Sequence, residues 1–215
     1  RPDHGTLLVA GDITLAELVP QLETALAGWT GQGKLPVVSV SNQVTRPAAT
    51  TVYLIDQPGA VQANLFAGQL VPSSTDEGAL ALDIANNVLG GDFSARLNMN
   101  LREDKHWSYG VRSSASGALG ARPWLVSAPV QIDKTAEAMA ELQREIVAFT
   151  SGQQPPTTEE VARVRASQTL SLPGAYETAS AVLATLRSNA LYGRADDYVF
   201  SRKAQIEALT PEQVA

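Results

Sequence analysis

The 215 residues include no cysteine and only two histidines, His4 and His106. The first absence excludes a disulfide framework, a cysteine nucleophile and any thiolate metal site. The second leaves little to hold a metal, because a zinc site without cysteine needs several His, Asp or Glu ligands converging. Neither histidine stands in H-x-x-E-H, H-x-x-E or H-x-x-H spacing, so no metal site is expected in this chain, and His106 reads as a surface loop residue. Basic residues are outnumbered: 16 Lys and Arg against 22 Asp and Glu give a formal net charge of −6. No block of lysines and arginines occurs, which argues against nucleic-acid binding. No uninterrupted apolar run approaches the roughly 18 residues of a membrane span. There is no G-x-S-x-G elbow, and Gly90-Gly91 does not fit a dinucleotide-binding fingerprint.

What is present is a core-forming composition, 44% hydrophobic, ordinary for a folded domain. Residues 6–11 are an apolar run closed by Gly11-Asp12 and read as a buried strand. Thr14 with Glu17 has capping-box spacing, so a helix should run to about Gly28, with Pro20 inside it. A pattern-poor stretch containing Gly, Ser, Thr and Pro follows and is too long for an internal loop. Residues 1–30 are therefore read as the last strand and helix of a preceding α/β domain, 31–48 as a linker, and 49–215 as a second domain. Starting at Arg1 and stopping at Ala215 within a new helical pattern, the chain reads as a piece of a longer protein.

Within 49–215, strands are expected at 50–56 and 61–69 around the turn Gln57-Pro58-Gly59-Ala60. In the second, Val61, Ala63, Leu65 and Ala67 point to one side and Gln62 and Asn64 to the other. A helix is expected over 76–89, ended by Gly90-Gly91 in the left-handed position glycine accepts, with Asp92 or Ser94 capping the next helix. Strands return at 109–116 and 124–132. Helices follow at 134–150, after the Thr157/Glu160 capping box, at 175–192 (closed by Gly193) and from about Asp196 to Leu209. Strands in pairs followed by helices give an α+β fold, an antiparallel sheet with helices packed on one face.

Two acidic pairs, Glu159-Glu160 and Asp196-Asp197, sit at helix starts, where carboxylates favourably meet the helix dipole. Neighbouring helical residues point apart, so neither pair reads as a catalytic dyad. Arg102 and Tyr109 admit two readings. An arginine near a helix C-terminus and a tyrosine opening a strand are ordinary structural residues. Alternatively, both are donors held close to one junction.

The block Leu89-Gly90-Gly91-Asp92-Phe93-Ser94-Ala95-Arg96-Leu97, then Leu101-Arg102-Glu103-Asp104, then Tyr109-Gly110-Val111 resembles the zinc-free domain of insulinase (pitrilysin) family metallopeptidases. There a glycine pair ends one helix, the next carries Leu-Arg, and a Tyr follows seven residues after that Arg. The opening Leu7–Asp12 run and the strand pair about Pro58-Gly59 are similar too, so the resemblance covers nearly the whole chain. It implies one half of a metallopeptidase clamshell. The other half, on the same polypeptide or a partner subunit, would hold zinc through H-x-x-E-H. This half would bind extended peptide and help complete the site for peptide-bond hydrolysis. Carried over, Arg102 and Tyr109 are the substrate-binding residues, donating hydrogen bonds to the scissile carbonyl or its neighbour as negative charge builds on oxygen. No catalytic residue is expected in the segment by itself, which should be inactive alone. The family also contains noncatalytic subunits, so a scaffold or interaction role is the alternative; a soluble α+β binding domain sharing only the fold is a further one. The expected setting is the bacterial periplasm, with the cytoplasm as the other choice.

Overall fold

The uninterrupted alternation of Trp124, Val126, Ala128 and Val130 makes one strand the centre of the sheet, because side chains two apart face the same side. The computed structural model describes residues 5–31, 44 and 47–215. The expected linker at 31–48 lies almost wholly outside these residues, and so does His4. Along the chain the elements are α1 (Leu15–Leu26), β1 (Gln62–Val71), α2 (Ala79–Asn86), α3 (Arg96–Asn98), β2 (Arg112–Ala115), β3 (Arg122–Gln131), α4 (Thr135–Thr150), α5 (Thr158–Leu170), α6 (Ala179–Tyr192), α7 (Tyr198–Ala208) and α8 (Pro211–Val214). Wide π-type turns occupy Asn87–Gly91 and Met99–Asp104. The chain divides into two compact units, Arg1–Ser39 with Ser171–Phe200, and Val40–Leu170 with Ser201–Ala215.

In the second unit the three strands form one antiparallel sheet in the order β1-β3-β2. Trp124, Val126, Ala128 and Val130 of β3 are buried on one face, against α4 and the α2 segment. The core is completed by Ile84, Val88, Leu97, Leu101, Val111 and Leu142. On the opposite face Phe66 and Leu125 are exposed. The α+β class, with helices on one side of an antiparallel sheet, is therefore observed.

Two apolar runs expected as strands are not strands. Residues 6–11 form no strand, and Leu7 and Val9 are exposed. Residues 50–56 form none either, with Val52, Tyr53, Leu54 and Ile55 all exposed. Both runs have strand-like composition, but strand propensity expresses itself only when a neighbour supplies the ladder and the cover, and no described strand pairs with them. The turn between them and β1 does form, with Gly59 at φ 81° and the Ala60 N–H donating to Gln57 O at 3.2 Å. In β1 the core side is held by Ala63, Leu65 and Val71, while Val61 and Ala67 are exposed. Ile132 leaves the sheet and begins a 3-10 turn.

Helix starts follow their capping residues closely. Thr14 and Glu17 form the reciprocal box that opens α1, and Pro20 lies within that helix. Thr157 and Glu160 form a second box, Thr157 N–H to Glu160 Oε2 at 2.8 Å and Glu160 N–H to Thr157 Oγ1 at 3.2 Å. Thr178 caps α6, and Gly193 closes it at φ 64°.

Candidate functional site

The glycine pair shapes the approach to the site, by closeness rather than by handedness. Neither Gly90 nor Gly91 has positive φ; both lie in the π-type turn that continues α2. A Cβ on Gly90 would stand 2.5 Å from Ser113 Oγ and 3.0 Å from Leu97 Cδ1. One on Gly91 would stand 2.7 Å from Asn86 Nδ2. The left-handed cap expected here is thus replaced by two points where an added Cβ would force a neighbouring side chain to shift. Asp92 and Ser94 do not cap α3, whose N-cap is Ala95; the Asp92 carboxylate instead accepts the Phe93 N–H at 2.6 Å.

Arg102 lies in the π-type turn that extends α3. That turn closes widely, with Lys105 N–H on Asn100 O at 3.0 Å and Trp107 N–H on Leu101 O at 2.9 Å. His106 then takes φ 57°, the left-handed conformation that ends the helix, and its Nδ1 is 3.0 Å from the Arg102 carbonyl oxygen. Helices of π type are rare and recur at functional sites. The Arg102 side chain is 37% exposed and touches two groups: Nε is 3.3 Å from Glu103 Oε1, and the guanidinium carbon is 4.5 Å from the Phe93 ring centroid.

Two other arginines are committed to the fold. Arg96 grips Glu160 with Nε and Nη2 at 2.7 and 2.6 Å and also donates to the carbonyls of Gln154 and Pro155. Burial pushes the Glu160 carboxyl upward, but the Arg96 guanidinium and the Thr157 N–H outweigh it and hold the pKa at about 2. Arg122, buried in β3, bonds Pro72 O at 2.9 Å and Asp83 Oδ1 at 3.1 Å. Glu160 is therefore a structural carboxylate.

Tyr109 does not open a strand, as expected, but projects from a bulge. Ser108 bridges to Val130, while Arg112 faces Ser127, so the 108–112 segment carries one residue more than the stretch it faces. The reason is Pro129. Its carbonyl accepts from Ser108 Oγ at 2.5 Å, so its missing N–H also lies on that side, and a proline inside a sheet is confined to such breaks. Ser108 Oγ further takes the Gly110 N–H at 3.1 Å. Bulges re-aim side chains, and Tyr109 is 91% exposed, although flanked by the anchored Ser108 and the buried Val111.

The structure therefore places Arg102 and Tyr109 on neighbouring segments of one connection, both presented to solvent, with no bond between them. Sequence reasoning missed Asn98, which is 3% exposed and ties this connection together. Its Nδ2 donates to Phe93 O at 2.6 Å, and its Oδ1 accepts the Val111 N–H at 3.0 Å. Its position one turn before Arg102 was the signal available. Asn86 plays a similar part beside the glycine pair, its Oδ1 accepting from Ser113 Oγ and Trp124 Nε1, each at 2.7 Å. Among the described residues no three His, Cys, Asp or Glu side chains converge to hold a metal ion. No described helix is long and apolar enough to cross a membrane.

The sequence model of the peptidase M16 inactive domain family matches residues 1–168, and the chain belongs to that family. A curated relative, an uncharacterized zinc protease of Streptomyces coelicolor, is 29% identical over 119 residues, which is 54% of this chain and 26% of the relative. The chain thus spans about a quarter of that protein. Among solved structures, the peptidase M16 inactive domain from Pseudomonas fluorescens superposes with a TM-score of 0.80 at 20% identity, covering 95% of this chain and 47% of that one. A protease from Helicobacter pylori gives 0.81 at 16% identity, covering 95% and 49%. These likenesses establish the fold.

Proposed function

We propose that this domain is the substrate-binding, zinc-free part of an insulinase-type zinc metalloendopeptidase, completing the active site against a catalytic half that carries H-x-x-E-H. The observation that carries the reading is the presence of a solvent-facing Arg102 and an outward Tyr109 on one connection, where the nearby Arg96 and Arg122 are taken up by the fold. When a peptide bond is hydrolysed, negative charge grows on the carbonyl oxygen, and fixed donors aimed at that oxygen stabilise it by about 3–4 kcal/mol each. Arginine remains charged throughout and offers a rigid fork of donors. The Tyr109 hydroxyl supplies a neutral donor from a backbone flanked by the hydrogen-bonded Ser108 and Gly110. The ligand is an extended peptide, and the zinc belongs to the catalytic half. The bacterial periplasm is the compartment we assign to the parent protein; the absence of cysteine fits it and the cytoplasm equally.

The test is peptide hydrolysis by the full-length parent protein, or by this subunit with its partner, at equal zinc occupancy and equal folded fraction. Arg102→Ala and Tyr109→Phe should each lower kcat/KM by about tenfold or more, roughly 1.4 kcal/mol of transition-state stabilisation. Unchanged rates reduce both residues to packing roles. A wild-type protein without zinc-dependent hydrolysis moves the assignment to a noncatalytic scaffold subunit.

A further inference from the structure

Phe93 is a large aromatic residue, 59% exposed, in the short turn between the glycine pair and α3. The core has no use for its ring, yet its backbone is held on both sides: its N–H by Asp92 Oδ1 at 2.6 Å and its carbonyl by Asn98 Nδ2 at 2.6 Å. What the ring does touch is the Arg102 guanidinium, 4.5 Å from its centroid. Asn98 lies four residues before Arg102, on the same helical face. Its other amide atom holds Val111, two residues beyond Tyr109. One buried side chain therefore touches the residue under Arg102, the turn of helix that carries Arg102, and the segment that carries Tyr109.

We propose that Phe93 and Asn98 are positioning residues for the Arg102/Tyr109 pair, Phe93 as the face on which the guanidinium lies and Asn98 as the brace that fixes the two donors relative to each other. The inference rests on the proposed function of that pair. A guanidinium over an aromatic face keeps its edge donors directed outward, which is what a carbonyl oxygen approaching from solvent requires. Without the ring, the nearest remaining partner is the adjacent Glu103 carboxylate, which would draw the charge away from a substrate. Misplacing a donor by about an ångström is enough to cost up to roughly a hundredfold in rate.

The experiment is a double-mutant cycle in the full-length parent protein or its assembled complex, using Phe93→Leu with Arg102→Ala and a fluorogenic peptide. Phe93→Leu alone should lower kcat by about tenfold with KM nearly unchanged, and should cause no further loss in the Arg102→Ala background. Phe93→Tyr, which keeps the aromatic face, should restore most of the rate. The Nε–H proton resonance of Arg102 should lie upfield in wild type and in Phe93→Tyr, shifted by the ring, and return downfield in Phe93→Leu. Asn98→Asp, which keeps the acceptor for Val111 but loses the donor to Phe93, should reproduce the Phe93→Leu loss. Equal losses from Phe93→Leu in both backgrounds, or no loss with Arg102 present, overturn the positioning role while leaving the proposed function of Arg102 intact. Wild-type rates for Arg102→Ala overturn both.

Discussion

At the scale of single residues, the site depends on atoms too close together to admit others. Gly90 is the clearest case, since its missing Cβ is the space occupied by Ser113 Oγ and approached by Leu97 Cδ1. Gly90→Ala should destabilise the fold by about 1–3 kcal/mol, the range of overpacking in a tight core, read as a lower urea midpoint with an unchanged slope. Ser113 is itself bonded to Asn86, so the displaced hydroxyl has no costless alternative. A Gly90→Ala protein as stable as wild type would mean that the turn relaxes freely. Arg102 and Tyr109 could be singled out in the sequence because their spacing matches a known pattern. Phe93 and Asn98 could not, because nothing in a linear string says that an exposed ring lies beneath a particular guanidinium.

At the scale of elements, α5 shows how a cap and an ion pair join. Glu160 closes the capping box with Thr157 and takes both ends of the Arg96 fork, docking the start of α5 against the start of α3. Its folded pKa of about 2 lies below the usual 4.5. Between these values the unfolded chain binds the proton that the folded chain refuses, so the contribution to stability is complete above about pH 4.5 and fades as the pH falls toward about 2. Glu160→Gln should flatten the dependence of the urea midpoint on pH across this acid window. At neutral pH it should cost about 1.5–3 kcal/mol, the worth of hydrogen bonds to a charged group. A variant with the wild-type acid slope would assign that slope to other carboxylates. The capping half of this arrangement was legible, because Thr157 and Glu160 are three apart; the pairing with Arg96, 64 residues away, left no trace in local pattern.

At the scale of the molecule, burial is unevenly shared. The unit built from Val40–Leu170 and Ser201–Ala215 contains the sheet and the continuous apolar core. In the unit built from Arg1–Ser39 and Ser171–Phe200, Asn189 is the one buried residue among those described. Local opening free energy follows buried contact. Backbone amides of α1 and α6 should therefore exchange with deuterium well before those of β3 and α2 in the 215-residue chain, as read by mass spectrometry of its peptides. Protection of α6 as long-lived as that of β3 would show that α6 opens only with the whole fold. In the sequence Tyr176, Ala179, Leu183, Leu186 and Ala190 repeat at helical spacing, but Ala179 and Ala190 are exposed and Leu183 and Leu186 only half-buried, because periodicity records a preference for cover without supplying any.

Local chemistry alone determined the helix starts at Thr14 and Thr157, the left-handed stop at Gly193, the strand built on Trp124–Val130, and the absence of thiolate chemistry. Each of these depends on residues within a few positions of one another, and hydrogen-bond reach or side-chain periodicity decides it without help. Tertiary structure decided which apolar runs became strands, since Thr51–Ile55 has the composition of one but no described neighbour to complete its ladder. It also decided why the glycines are needed and where Tyr109 points. Those outcomes turn on which backbone approaches which across the fold: Ser113 against Gly90, and Pro129, which cannot donate, against Ser108.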